Sequence, residues 1–225
     1  MNAEAILERG LRKLAVPVPE RAPFILLAYL ALLEKWNHTI NLTAIRERDR
    51  MVSQHLLDSL SVLPHLLASE RRIADIGTGA GLPGIPLAIA RPELRVTLVE
   101  PNQKKVAFLR QAKLELGLAN LDIQGRRVED LKEGSFDVVI SRAFADLPDF
   151  VRVTERLLAS DGRLIAMKGI VPYEEMSKLP AHAKAEFLAV DVPELSATRH
   201  LIVVRFDQAA QDATPPRGPQ AAAGN

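Results

Sequence analysis

Apolar residues in the first third of the chain recur every three or four positions. From Arg72 onward they gather instead into short runs separated by longer mixed stretches. The first pattern predicts helices over residues 3–15, 23–37 and 48–67, with 37–43 joining the second to the third. The short runs at 73–76, 95–99, 121–124, 136–140 and 163–167 predict strands alternating with helices. Two late runs, 185–190 and 201–206, have no clear helix between them. Alternation of this kind argues for an α/β fold, a mainly parallel sheet with helices on both faces, and the last two runs suggest an antiparallel edge. The chain therefore divides into an N-terminal helical region (1–70), a Rossmann-like α/β core (71–207) and a Pro-, Ala- and Gly-rich tail (208–225) expected to be disordered. No internal repeat interrupts this plan.

The junction between the first strand and the helix after it carries the most chemistry. It reads Asp75-Ile76-Gly77-Thr78-Gly79-Ala80-Gly81-Leu82-Pro83-Gly84. Glycines let a backbone turn sharply and bring a ligand against bare main chain. The loop leads into a predicted helix N-terminus, whose free N–H groups favour an anionic group. Its G-x-G-x-G spacing departs from the dinucleotide fingerprint G-x-G-x-x-G. An acidic residue, Asp75, stands two positions before the first glycine, and the whole loop looks like motif I of class I S-adenosylmethionine-dependent methyltransferases. Glu100 ends the second predicted strand, about 20 residues later, where a carboxylate can accept both hydroxyls of a ribose. Glu100 alone does not separate NAD from S-adenosylmethionine; its register with the glycine loop gives it meaning.

Composition narrows the setting. With no cysteine, disulfides and Cys-based metal sites are excluded, which fits a reducing cytosol. Histidines 38, 55, 65, 182 and 200 show no metal-ligand spacing, so no metal is expected. Charges at Glu8 and Arg9 cut the only apolar start, against a signal peptide. The longest apolar run, residues 24–33, is half the length of about 20 that spans a bilayer, so no membrane insertion is expected. A net charge of +1 argues against coating nucleic acid by electrostatics alone. A local basic face stays open, built from pairs such as Arg71-Arg72, Lys104-Lys105 and Arg126-Arg127.

The remaining motifs point to one enzyme class. Ser141-Arg142-Ala143-Phe144 follows the fourth strand, and Lys168-Gly169 ends the fifth. Amino methyltransferases carry an Asn/Asp-Pro-Pro-aromatic tetrapeptide where Ser-Arg-Ala-Phe stands, and no cysteine is present to act as a 5-methylcytosine nucleophile. Upstream lie Trp36-Asn37, Asn41-Leu42-Thr43 and His55-Leu56-Leu57-Asp58-Ser59. In this order the motifs, spanning about residues 20–206, resemble the bacterial ribosomal RNA small subunit methyltransferase G family, also called glucose-inhibited division protein B. The resemblance implies a seven-stranded methyltransferase sheet with its last strand antiparallel, S-adenosylmethionine as donor, and 7-methylguanine made at guanine 527 in the 530 loop of 16S rRNA. It implies donor contacts at Gly77, Leu82, Val128, Glu129 and Arg142, which join Asp75, Gly79, Gly81 and Glu100. Ala80 stands where many relatives have Pro.

Guanine N7 carries an in-plane lone pair, so its methylation removes no proton, and rate must come from alignment and electrostatics. Arg142 and Lys168 are the expected catalytic cations, holding O6 or a phosphate; Arg suits planar bidentate recognition. The plain alternatives are an ion pair of Arg142 with a carboxylate such as Asp146, and a solvated Lys168. Phe144 suits stacking on an extruded base, or else the core. Asn41, His55 and Asp58 suit a polar lid, and Arg126 and Arg127 suit RNA phosphates. Trp36 reads as core. A cytoplasmic monomer acting on 16S rRNA or the 30S subunit is the resulting expectation. The rival readings are an NAD-linked oxidoreductase, which lacks an evident hydride-transfer acid/base, and a non-catalytic RNA-binding assembly factor.

Overall fold

The short β-rich runs form one seven-stranded sheet: β1 (Arg72–Ile76), β2 (Arg95–Val99), β3 (Leu121–Gln124), β4 (Phe136–Ser141), β5 (Leu158–Lys168), β6 (Ala183–Val190) and β7 (Arg199–Phe206). Their order is β3-β2-β1-β4-β5-β7-β6. The first five pair in parallel, and β7 lies antiparallel between β5 and β6. The computed structural model describes residues 2–132, 134–142, 144 and 146–207, so the Pro/Ala-rich tail lies outside the described residues.

Side chains alternate between the two faces of each strand. Ala74, Ile76, Val139, Leu164 and Ala166 bury themselves under α7 (Leu147–Thr154), against Phe150 and Val151. The opposite face, including Ile73, Leu98, Ile140 and Ile165, packs under α5 (Gly84–Ala90) and α6 (Gln103–Glu115) and under the N-terminal helices α1 (Ala3–Leu14) and α2 (Ala22–Asn37). Leu7, Leu26, Leu30 and Leu33 are fully buried in that shared core. At about 2 kcal/mol for each fully buried leucine, residues 1–70 are welded to the sheet and make no core of their own. Side chains of Asn2, Asn102 and Asp146 cap α1, α6 and α7 by accepting from backbone N–H groups in the first turn.

Two expectations are corrected. The third helical pattern, 48–67, is not one helix. It runs as α3 (Arg48–Met51), a π-helical turn (Val52–Leu57), α4 (Asp58–Leu60) and a 3₁₀ turn (Leu63–His65). Pro64 brings no N–H to continue the helix, and the π turn rotates the side chains that follow it. Strand β5 begins at Leu158, not at residue 163. The strand takes in Ser160-Asp161-Gly162, with a shift in register against β4 between Phe136 and Val138.

Candidate active site

The glycine loop leaves the C-terminal end of β1, at the centre of the sheet. Gly77, Gly79 and Gly81 have φ of +67°, +59° and +90°, the left-handed region that glycine enters without strain. The three are not equivalent. A Cβ on Gly77 would meet nothing within 4 Å, and one on Gly79 only the Gly77 carbonyl at 3.9 Å. These two face open space and can admit a ligand to bare backbone. A Cβ on Gly81 would lie 2.3 Å from Ile85 Cδ1, so Gly81 serves close packing of loop on helix. Leu82 is buried and its N–H donates to the Thr78 carbonyl, so it shapes the loop.

Asp75 is wholly buried beneath the loop and accepts from Thr78 Oγ1 and from the Gly84 N–H at 2.8 Å. Its Oδ1 has no partner among the described residues, and burial raises the carboxyl to about 6 despite those donors. From the N-terminal region, the fully buried Tyr29 hydroxyl donates to the Ala80 carbonyl at 2.7 Å. Glu100, at the end of β2, is 5% exposed. It accepts from the Gly79 N–H through Oε2 and from the Asn102 N–H through Oε1, both at 2.9 Å. Each carboxylate oxygen keeps lone-pair capacity for a second donor, such as a ribose hydroxyl. Open glycines above an oriented carboxylate fit the nucleoside of S-adenosylmethionine.

On the far side of β1, the ends of β4, β5 and β7 and the π turn surround a cavity of about 370 Å³. Gln54, His55, Asp58, Arg142, Lys168 and Arg199 line it. Arg142 donates to the Gln54 carbonyl at 3.2 Å and lies 3.5 Å from Asp58 Oδ2. Arg199 Nε donates to Asp58 Oδ1 at 2.9 Å. One buried carboxylate thus holds two guanidiniums, so the acid beside Arg142 is Asp58; the nearby Asp146 caps α7 instead. Lys168 Nζ is largely buried and donates to the Phe144 carbonyl at 3.3 Å and to Glu175 of α8 (Tyr173–Met176) at 3.1 Å.

His55 hydrogen-bonds Thr43 Oγ1 at 2.9 Å through Nε2 and the Gln54 carbonyl at 3.1 Å through Nδ1. A carbonyl only accepts, so Nδ1 carries the proton and Nε2 accepts from the threonine. Burial and the Arg142 charge lower its pKa to about 4, which keeps it neutral near pH 7. Asn41 is exposed and does not line the cavity. The buried amide beneath that turn is Asn37, which accepts from Leu42 and Thr43 N–H groups and donates to the Thr43 carbonyl. Phe144 packs on Phe150 with ring centroids 5.2 Å apart, and Trp36 packs edge-on against Phe108.

Arg126, Arg127 and Glu129 are exposed in the segment after β3, and Val128 is buried. Arg156 donates to the Val128 and Glu129 carbonyls and fixes that turn. Arg199, Tyr29 and Gln54 escape a linear reading. Arg199 lies two positions before the predicted run 201–206, where the strand in fact begins, and Tyr29 lies within a predicted helix, with no motif to mark either. A second cleft, of about 460 Å³ by Arg152 and Arg156, holds no such chemistry, because its arginines are committed to Asp149 and to backbone carbonyls.

The family model described as GidB, rRNA small subunit methyltransferase G, matches residues 24–202. The chain belongs to that family. The ribosomal RNA small subunit methyltransferase G of Chromobacterium violaceum is 54% identical over 200 residues, covering 88% of this chain and 95% of that protein. The Nitrosospira multiformis protein of the same name is 49% identical, covering 91% and 98%. Among solved structures, the O-methyltransferase TomG of Streptomyces achromogenes, in complex with SAM, aligns with TM-score 0.59 at 17% identity, over 92% of this chain and 99% of that one. The structure titled PigF with SAH aligns with TM-score 0.59 at 17% identity, over 90% and 69%. At such identities the likeness is one of fold, and it supports a class I methyltransferase sheet.

Proposed function

We propose that this protein transfers a methyl group from S-adenosylmethionine to N7 of a guanine in 16S rRNA, guanine 527 in the 530 loop. The observation that carries the reading is the make-up of the cavity. Among the described residues it presents Arg142, Arg199 and Lys168, and no group free to take a proton. Asp58 is held by two guanidiniums, and His55 is a weak base with its Nε2 already bonded to Thr43. That inventory suits a nucleophile that carries its own lone pair and needs no general base.

S-adenosylmethionine, when bound, supplies an electrophilic methyl group. Gly77 and Gly79 would take its nucleoside against bare backbone, and Glu100 would accept from the ribose hydroxyls. Asp75 keeps the loop in shape through Thr78 and Gly84. Arg142, steadied by Asp58 and Gln54, would donate to guanine O6 and hold the base in plane with N7 unencumbered. Lys168 and Arg199 would neutralise phosphate and offset charge as the bond forms. Arg126 and Arg127 would add phosphate contacts at the rim.

Mass spectrometry of 16S rRNA from a strain lacking the protein tests the reading: 7-methylguanine at position 527 is expected to disappear and to return with the wild-type chain. Persistence of that modification would refute it. Transfer of labelled methyl across a salt series is expected to be faster on 30S particles than on a short isolated hairpin, because a shape-dependent substrate is presented only in its tertiary setting.

A further inference from the structure

Outward from Lys168 the sheet carries a row of rings that the methyl-transfer chemistry does not use. Strand register sets Lys168 opposite His200 on β7, and His200 opposite Ala189 on β6. Directly paired residues share a face, so Lys168 and His200 project together. Phe187, two residues from Ala189 along β6, lies on that same face and meets the His200 ring edge-on, with centroids 6.3 Å apart. Tyr173 of α8 closes the row, edge-on to Phe187 at 5.8 Å. The fold buries Tyr29, Phe108 and Phe150 completely, yet leaves Tyr173 65% and Phe187 43% exposed, with Ile170 beside the cavity's Gly169 at 83%.

We propose that Tyr173 and Phe187 form a stacking shelf for unpaired RNA bases flanking the target guanine. This rests on the rRNA reading above. The shelf is continuous with the cavity: β6 lies two strand spacings from β5, roughly 10 Å, a short step for a neighbouring nucleotide. Rings beside cations are the chemistry of single-stranded RNA, where bases stack and phosphates meet Lys or Arg. The nearby Glu186 points to the opposite face of β6 and is paired with Arg205. The shelf is also tied to the catalytic end, since Glu175, on the same short helix as Tyr173, accepts from both Lys168 Nζ and the Leu147 N–H.

The test measures methyl transfer to 30S subunits and to a 16S rRNA fragment, the fragment also with an abasic nucleotide beside the target. Tyr173→Ala and Phe187→Ala are expected to raise KM for RNA about tenfold, within the roughly 5- to 150-fold worth of one stacked base. The loss is expected to sit in KM rather than kcat, and unchanged S-adenosylmethionine affinity reports an intact core. Tyr173→Phe restores KM, whereas Tyr173→Leu does not. An abasic neighbour costs as much as Tyr173→Ala, and the two losses do not add. Wild-type KM in Tyr173→Leu, or additive losses, would overturn the shelf and point to apolar packing against protein. Wild-type turnover with unaffected alanine variants overturns the shelf alone; absence of wild-type turnover overturns the parent reading and the shelf with it.

Discussion

Tyr29→Phe removes one oxygen atom and isolates what the N-terminal helices do for the glycine loop. Tyr29 is fully buried, and its hydroxyl donates to the Ala80 carbonyl at 2.7 Å, at the middle of the glycine loop. Burial pushes the phenol's pKa well above its ordinary value, so the group is a neutral donor at any working pH. Phenylalanine fills the same space and creates no cavity larger than the lost oxygen. What remains is a carbonyl in a residue only 4% exposed, without its donor. Leaving such a group unpaired costs about 1–3 kcal/mol. Taking about 2 kcal/mol, a protein of this size should melt about 4–8 °C lower. The loop would also lose a tether, so part of the binding energy of S-adenosylmethionine would go into ordering it, and affinity should fall by up to about tenfold. Differential scanning calorimetry with and without donor, with isothermal titration of the donor, reads both numbers. An unchanged melting temperature would refute the energetic argument. A lowered melting temperature with wild-type donor affinity would refute the claim that Tyr29 shapes the binding loop.

Gly79→Val and Gly81→Val both strain a left-handed backbone, but Gly81→Val should destabilise the fold further, because its Cβ would also displace the buried Ile85 side chain, and Gly79→Val should lose S-adenosylmethionine affinity because its side chain enters open space; thermal unfolding with calorimetric titration separates the two. Lys168→Ala should lower kcat by more than about tenfold while donor affinity moves by less, since its proposed contact is to the base; parallel loss of both would place Lys168 in the donor site. His55→Gln reports pH linkage. Native His55 protonates only near pH 4, while an unfolded histidine protonates near 6.5, so wild type loses stability as pH falls through that window. Asp75, raised to about 6, works in the opposite direction in both proteins and cancels in the comparison. The variant should therefore gain about 2 kcal/mol relative to wild type between pH 7 and 4.5, read by denaturant unfolding; a constant difference would show that His55 titrates normally.

Much of this molecule is local physics, and that part is readable along the chain. Short apolar runs mark β1, β2 and β4 because these strands are covered on both faces, and the glycine loop announces itself because three alternate positions at positive φ favour glycine. Glu100 and Lys168 were legible from their places at strand ends. Other features depend on partners far away in sequence. Nothing local says that Arg199 meets Asp58, 141 residues earlier, or that one carboxylate serves both Arg199 and Arg142; only the antiparallel insertion of β7 beside β5 brings them together. The π turn at Val52–Leu57 is likewise invisible to periodicity, since its residues are apolar at helical spacing, yet it aims Gln54, His55 and Asp58 into one cavity. The glycines are alike in sequence and differ only in what stands in front of each Cβ: open space at Gly77 and Gly79, an isoleucine at Gly81. Sequence determines which backbone shapes are affordable, because torsional preference and burial period belong to each residue and its neighbours. Tertiary structure decides which charges share a counter-ion and which rings face solvent, because those depend on distances that the chain sets only once the sheet has closed.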